Sequence, residues 1–531
     1  GKLSVVITTE GHTASFDLTD GIELLAGELA YTTKAVSGWT ALEPELSVTW
    51  ETNPTFEPVE ITNDMKGKCN IVINAPAGIK AFTVSMLSDY LNNDIGLTEL
   101  DLLNPQGLET IFDMLNFPYG EKILNQKTVP FDLTNAVALL EGKSGQHIFT
   151  MNVTDNNNKT INQDITFFVP EAISATVSDI DLWKNTATIT LNNAPEGATV
   201  QYKRSTESEW KNTTKNPNGT FSITPSWITE ENDAGKTVYS LDNNCGVFAG
   251  ATYDWQILNG EAVVASGTFE TSAGDPIENG DMSQWCETKE MLPLFGSKKI
   301  TVWYPGSSWS DSTPGFWDSS NNAGNKTACT QDKTKNASCA WLQASGVSLV
   351  GALASGSLFT GTFTYANMNG TASFGQKYKY TARPTALRLK YHATLGTVNY
   401  NKHNGPLEKD KDIMDQCSFT VCIVDWDTRH DVQSGTSAPK GIWDPITMGE
   451  LPVDKQNGII GYGVKYSSEN TPGTDLIPLE IPIKYYQQTN AAPDGENKFT
   501  IIISVSTSRY GDYLNGCDKN KIYVDDFEWV Y

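Results

Sequence analysis

Two aspartates flank a tryptophan at Asp425-Trp426-Asp427, in a stretch that reads as a β-strand. Residues two apart on a strand share a face, about 7 Å from each other at the usual rise. Glycosidases work with two carboxyl groups, roughly 5 Å apart for retention and roughly 6.5–9.5 Å apart for inversion, so Asp425 and Asp427 are spaced for such a pair. A second acidic group is Asp281 with Asp525, Asp526 and Glu528. These are hard oxygen donors of the kind a structural Ca²⁺ takes, provided the segments that carry them meet. Alternation lets only Asp525 or Asp526 face inward. A third set is aromatic. Trp303, Trp309 and Trp317 lie in stretches rich in Gly, Ser and Pro, where an indole ring can stand exposed. Flat rings cover the apolar C–H faces of sugars while polar neighbours fix the hydroxyls; Asn321 and Arg383 are the candidates for that second task. Trp341, Trp426 and Trp529 sit in strand-like surroundings and are expected in the core.

Other chemistry finds little support. The five histidines are scattered without metal-ligand spacing. No nucleophile elbow, phosphate loop or dinucleotide fingerprint is present. Cys329 and Cys339 bracket a polar loop and could pair, whereas Cys417 and Cys422, five apart on a strand, point to opposite faces and read as buried thiols. The net charge of −25 argues against nucleic acid, anionic membrane surfaces and strongly acidic polysaccharides. No apolar run is long enough to cross a bilayer, and no signal peptide is visible, so a leader is expected to have been removed.

The elements that must position these residues are mostly strands. With 531 residues, three domains are expected. Residues 1–170 read as an immunoglobulin-like sandwich with a helical insertion. In that insertion Asn104 is placed as N-cap, Pro105 opens the helix, and Leu108, Ile111, Phe112 and Leu115 form one apolar face. A hairpin with its turn at 155–158 closes the unit. Residues 171–274 read as a fibronectin-III-like sandwich without visible chemistry, a spacer. Residues 275–531 read as a jelly-roll β-sandwich. Its last stretch, KIYVDDFEWVY at 521–531, is too apolar for a frayed tail and should be buried in a sheet against the NGDMSQW segment at 279–285.

Several pieces of the third region recur together and in order: Gly315-Phe316-Trp317 to Asn321, Ser355 to Gly361, Phe374-Gly375 leading to Thr381-Ala382-Arg383-Pro384-Thr385, Ser506-Thr507-Ser508-Arg509-Tyr510-Gly511-Asp512, and the closing VDDFE. In this it resembles a Bacteroidetes family named only as a putative carbohydrate-metabolism domain. The resemblance implies a jelly roll preceded by an immunoglobulin-like domain, on an exported and often lipid-anchored bacterial protein with a glycan connection. Met282 and Ser283 replace an aromatic and an acid common in related sandwiches, which weakens a calcium site there.

The expectation is therefore a monomeric glycan-binding protein at the outer-membrane surface or in the periplasm. It binds through Trp303, Trp309, Trp317, Asn321 and Arg383 and performs no reaction. Two alternatives remain open. One is a glycoside hydrolase using Asp425 and Asp427. The other is a structural or adhesive protein whose loop tryptophans are packed and which has no aromatic-lined cleft.

Overall fold

In the computed structural model, the described residues are 4–9, 12–17, 28–31, 46–49, 53–60, 69–291 and 300–531, less 311–312, 324–327, 336–337, 348–349, 367–368, 404, 409–411 and 436–438. Side chains are described from 53 onward, apart from a few further positions. The protein is mainly β, and it divides into two compact units, 1–172 and 173–531.

In the first unit, alternating apolar residues of Ile79–Leu87 and Gly145–Asp155 bury Phe82, Val84, Phe149, Met151 and Val153 against Ile71, Ile73 and Phe131 of a second sheet. The expected hairpin forms from Gly145–Asp155 and Thr160–Val169. The expected helix is shorter, Glu109–Leu115, and buries Phe112 and Leu115 while Ile111 faces solvent. Asn104 does not cap it: Asp101 holds both the Asn104 backbone N–H and its amide, and positive φ at Gln106 and Gly107 turns the chain before the helix starts.

Beside smaller clusters, the second unit carries two main sandwich cores. A smaller one, of Ile189, Val200, Tyr202, Tyr253, Trp255 and Ile257, lies between two four-stranded sheets within 174–270. The larger lies between a ten-stranded and a five-stranded antiparallel sheet. In the five-stranded sheet Lys521–Val530 is the central strand, between Cys339–Gln343 and Ala386–Thr394. The opening and closing segments meet as expected: the Phe527 N–H donates to the Gly280 carbonyl at 2.8 Å. A Cβ at Gly280 would lie 2.3 Å from the Phe527 carbonyl oxygen, so only glycine permits this approach.

The ten-stranded sheet runs Ile459–Ser467, Cys417–Trp426, Phe499–Ser506, Ser357–Ala366, Asn369–Phe374, His430–Gly435 through its middle and one edge. Its inner face is a conventional core, with Phe419, Val421, Ile423, Ile501, Ile503 and Val505 packed against Ile522, Val524 and Leu389. At its other edge the sheet is extended by Lys484–Tyr485 and by a hairpin from the region expected to be a spacer, Trp227–Glu231 with Thr237–Leu241.

Candidate functional site

Strand alternation sends Ser418, Thr420, Cys422 and Val424 to the outer face of Cys417–Trp426, and Ile502, Ser504 and Ser506 to the same face of the neighbouring strand. Half of that face is covered. Cys422, Val424 and Ile502 pack with Trp426, Met448, Leu451, Tyr462 and Val238, the last contributed by the added hairpin. The other half is polar. Thr420 sits directly across from Ser504, and Ser418 across from Ser506 and, on the opposite side, Tyr466. Ser506 Oγ is bonded to Ser355 Oγ and donates to the Ser508 carbonyl; hydroxyls without such partners do not belong in a sandwich core, and the loops do not close over Ser418, Thr420 and Ser504.

They form instead the floor of a cleft of about 630 Å³. Its walls are aromatic: Phe359, Phe363, Tyr365, Phe374, Trp443, Tyr466, Tyr510 and Tyr513. Tyr365, Trp443, Tyr466, Tyr510 and Tyr513 are half-buried, with ring surface open to water. Arg509 lies over the Tyr466 ring, 3.8 Å from its centroid, and 5.2 Å from that of Tyr510. Three carboxylates also line the cleft. Asp444 is engaged by its own turn, accepting from the Ile446 and Thr447 N–H groups, and Glu450 accepts from the Gly441 N–H. Asp512 is exposed on the rim, and the share of its carboxyl that the surrounding chain takes out of water pushes it up, to about 6. Rings for C–H faces, hydroxyls and carboxylates for polyols, and one stacked guanidinium make a surface suited to a sugar chain.

None of the residues picked out beforehand for binding lines this cleft. Trp317 is 0% exposed: it packs on Phe527 and donates its indole N–H to the Glu278 carbonyl at 2.7 Å. Its Gly/Pro surroundings mark a tight entry into the core, not an exposed loop. Trp309 is buried in a small separate cluster, stacked on Tyr304 with centroids 3.9 Å apart. Trp303 is half-buried on Ile300–Pro305. Asn321 is buried and fully used: it donates to the Trp303 and Cys329 carbonyls and accepts from the Cys329 N–H. Arg383, 0% exposed, is enclosed by Trp183, Trp227 and Tyr485 and donates to the Trp183 and Gln487 carbonyls. It joins the 174–270 region to the sandwich and has no surface for a ligand. Trp426 and Trp529 are core as expected, whereas Trp341 is not: it stands half-buried on the outer face of its strand, stacked against Tyr523.

Asp425 and Asp427 share a neighbour, and neither lines the cleft. Lys498 lies 3.1 Å from Asp425 and 3.8 Å from Asp427, and Asp427 has 88% of its side chain exposed. The acidic group at the sandwich closure is only partly assembled. Asp525 is buried, and its carboxyl is pushed up to about 6, first by burial and then by the like charges of Asp526 and Asp281. Asp526 turns outward at a β-bulge with φ +52° and pairs with Lys390 at 2.7 Å, and Asp281 accepts from Ser283. Among the described residues no three His, Cys, Asp or Glu side chains converge on a point where an ion would sit. A cation such as Ca²⁺ needs six or more oxygens, and this donor set does not fit it.

The cysteines are all free thiols. Cys329 and Cys339 are kept apart by register, paired with Leu342 and Asp332 respectively, so the pairing considered for them does not form. Cys417 and Cys422 face opposite sides of their strand, into different cores. Of the features that would mark a purely structural protein, packed tryptophans are found and the absence of an aromatic-lined cleft is not. No helix among the described residues is long and apolar enough to cross a membrane.

Residues 269–530 match the family model described as "Putative carbohydrate metabolism domain". Among solved structures, one titled a putative glycoside hydrolase from Bacteroides thetaiotaomicron is 15% identical, covering 64% of this chain and 98% of its own, with a TM-score of 0.31. One of the same description from Bacteroides vulgatus is 14% identical, covering 47% and 96%, with a TM-score of 0.30. A carbohydrate-binding module of the β-sandwich superfamily is 8% identical, covering 91% and 100%, with a TM-score of 0.14. These overlaps are too small to carry an argument. No curated protein matches the chain.

Proposed function

Residues 269–530 belong to the putative carbohydrate metabolism domain family, and from that premise we propose that this protein binds a glycan in the cleft on the outer face of the ten-stranded sheet. The observation that carries the reading is the run of hydroxyls Ser418, Thr420, Ser504 and Ser506 left uncovered in mid-sheet and ringed by half-open tyrosines. Pyranose rings stack on Tyr466 and Tyr510, and their hydroxyls replace water on the serine and threonine floor. The protein serves polysaccharide utilisation as an exported monomer, at the outer-membrane surface or in the periplasm. A glycan array followed by calorimetry on the selected glycan tests this. Tyr466→Ala and Tyr510→Ala should weaken binding with the fold intact. An array that stays dark, or variants that bind like the parent, would refute it.

A hydrolytic reading has one observation in its favour, and it lies in the cleft, not at Asp425 and Asp427. Asp512 is raised toward the range a general acid needs, with Glu450 and Asp444 lining the same cavity. Release of reducing sugar from a bound glycan, lost in Asp512→Asn, is the result that would establish it; release unchanged in that variant excludes Asp512 as the acid.

A further inference from the structure

The rim segment that brings Arg509, Tyr510, Asp512 and Tyr513 to the cleft is closed at both ends by one buried carboxylate. Asp415 is 2% exposed. Its Oδ2 accepts from Ser508 Oγ at 2.6 Å, from the Cys517 N–H at 2.7 Å and from Asn520 Nδ2 at 2.7 Å, and its Oδ1 accepts from the Gln416 N–H at 2.8 Å. Ser508 stands before the rim residues, and Cys517 and Asn520 stand after them. Asn520 adds a bond of 2.8 Å to the Thr507 carbonyl. Gly516, at φ +145°, is what lets the chain pass the carboxylate: a Cβ there would come within 2.5 Å of Ser508 Oγ and 2.6 Å of Asp415 Oδ2.

The next residue reaches further. The Gln416 carbonyl accepts from the Arg509 N–H at 2.6 Å, and Gln416 Oε1 accepts from Arg509 NH1 at 3.1 Å. The guanidinium, held on one edge, is laid on the Tyr466 ring. Neither Asp415 nor Gln416 lines the cleft.

We infer that Asp415 and Gln416 are positioning residues for the glycan cleft: Asp415 closes the rim segment, and Gln416 sets Arg509 flat on Tyr466 before a ligand arrives. The inference rests on the glycan reading for its purpose and on the geometry alone for the anchoring. Ordering a loop of this length at the moment of binding would weaken binding; ordering it during folding removes that cost.

Hydrogen exchange of the ligand-free protein tests the anchoring, and array signal on neutral polysaccharides tests its purpose. In Asp415→Asn, oxygen must stay where three donors converge, so the new amide faces the Gln416 N–H, donor against donor. Exchange of the 508–514 amides should rise at least tenfold while strand amides keep their rates. Ser508→Ala removes one donor and should move the same amides, and it serves if Asp415→Asn does not fold. Gln416→Ala should leave exchange unchanged and lower the array signal at least tenfold, and Gln416→Glu should restore it. Wild-type exchange at 508–514 in both Asp415→Asn and Ser508→Ala overturns the anchoring role. Unchanged array signal in Gln416→Ala overturns the role assigned to Gln416. Silence of the wild-type protein on the array overturns the glycan reading alone, and the exchange result still decides the anchoring.

Discussion

Along Cys417–Trp426 and Phe499–Ser506 the same face of one sheet carries Cys422, Val424 and Ile502 at one end and Ser418, Thr420, Ser504 and Ser506 at the other. The first end is sealed by Val238, Met448 and Leu451, the second is an open cleft. Both ends lie on the same pair of strands, with the register shifting beyond Ile423 at the sealed end. What differs is that closing the second end would strip water from the hydroxyls of Ser418, Thr420 and Ser504, at about 1–3 kcal/mol for each left unpaired. A few hydroxyls in mid-sheet are enough to turn a core into a site.

The largest effect that tests this contrast is at the sealed end. Ile502→Ala should cost about 2–5 kcal/mol in chemical denaturation, as a cavity in packed surroundings does, while Ser504→Ala on the same strand should stay within about 0.5 kcal/mol of the parent. Equal losses would mean that both ends are core. Next, Tyr466→Ala should lower glycan affinity by roughly 2 kcal/mol, about thirtyfold, as a loss of ring stacking and of the Arg509 seat. Calorimetry and a melting curve together separate that from unfolding.

A smaller effect compares two of the buried carboxylates. Asp415 meets four donors, whereas Asp525 meets the Asp526 N–H, the like charges of Asp526 and Asp281, and the opposing charge of Lys390. In the folded protein Asp525 is raised from 3.8 to about 6, so folding favours its protonated form. That contribution is fully present below about pH 4 and is lost as the pH rises through about 6. Asp525→Asn should therefore stabilise the protein by on the order of 1–2 kcal/mol at pH 8 and not at pH 4. A gain of equal size at both pH values would remove ionisation as the cause. The smallest effect is on salt: affinity for a neutral glycan should change less than about twofold between low and high salt, since no counterions are released.

Much of the frame was legible in the chain. The apolar run at 521–531 lies in the middle of a sheet and meets the 279–285 segment, because so apolar a run of strand formers has to be buried. Five-residue spacing was enough to put Cys417 and Cys422 on opposite faces. The cleft was not legible. Ser418, Tyr365, Tyr466 and Arg509 come together only through sheet order, and strand patterns do not reveal which strand lies beside which. Context also misled for Trp309 and Trp317: glycine, proline and serine beside a large side chain meant close packing there, not exposure. One signal was within reach. The STSRYGD stretch at 506–512 is one of the pieces that carry the resemblance, and it forms the rim.

The hairpin Trp227–Leu241 gives Val238 to the sealed end, places Asn232 on the Tyr462 and Tyr486 hydroxyls, and helps enclose Arg383 through Trp227. A gene recombined near codon 275 would therefore strand a guanidinium without its cage and bare an oily strip on the sheet. Evolution can exchange the partner regions of this molecule only as an inherited pair, so relatives that carry the final sandwich should carry a matching hairpin or a substitute lid.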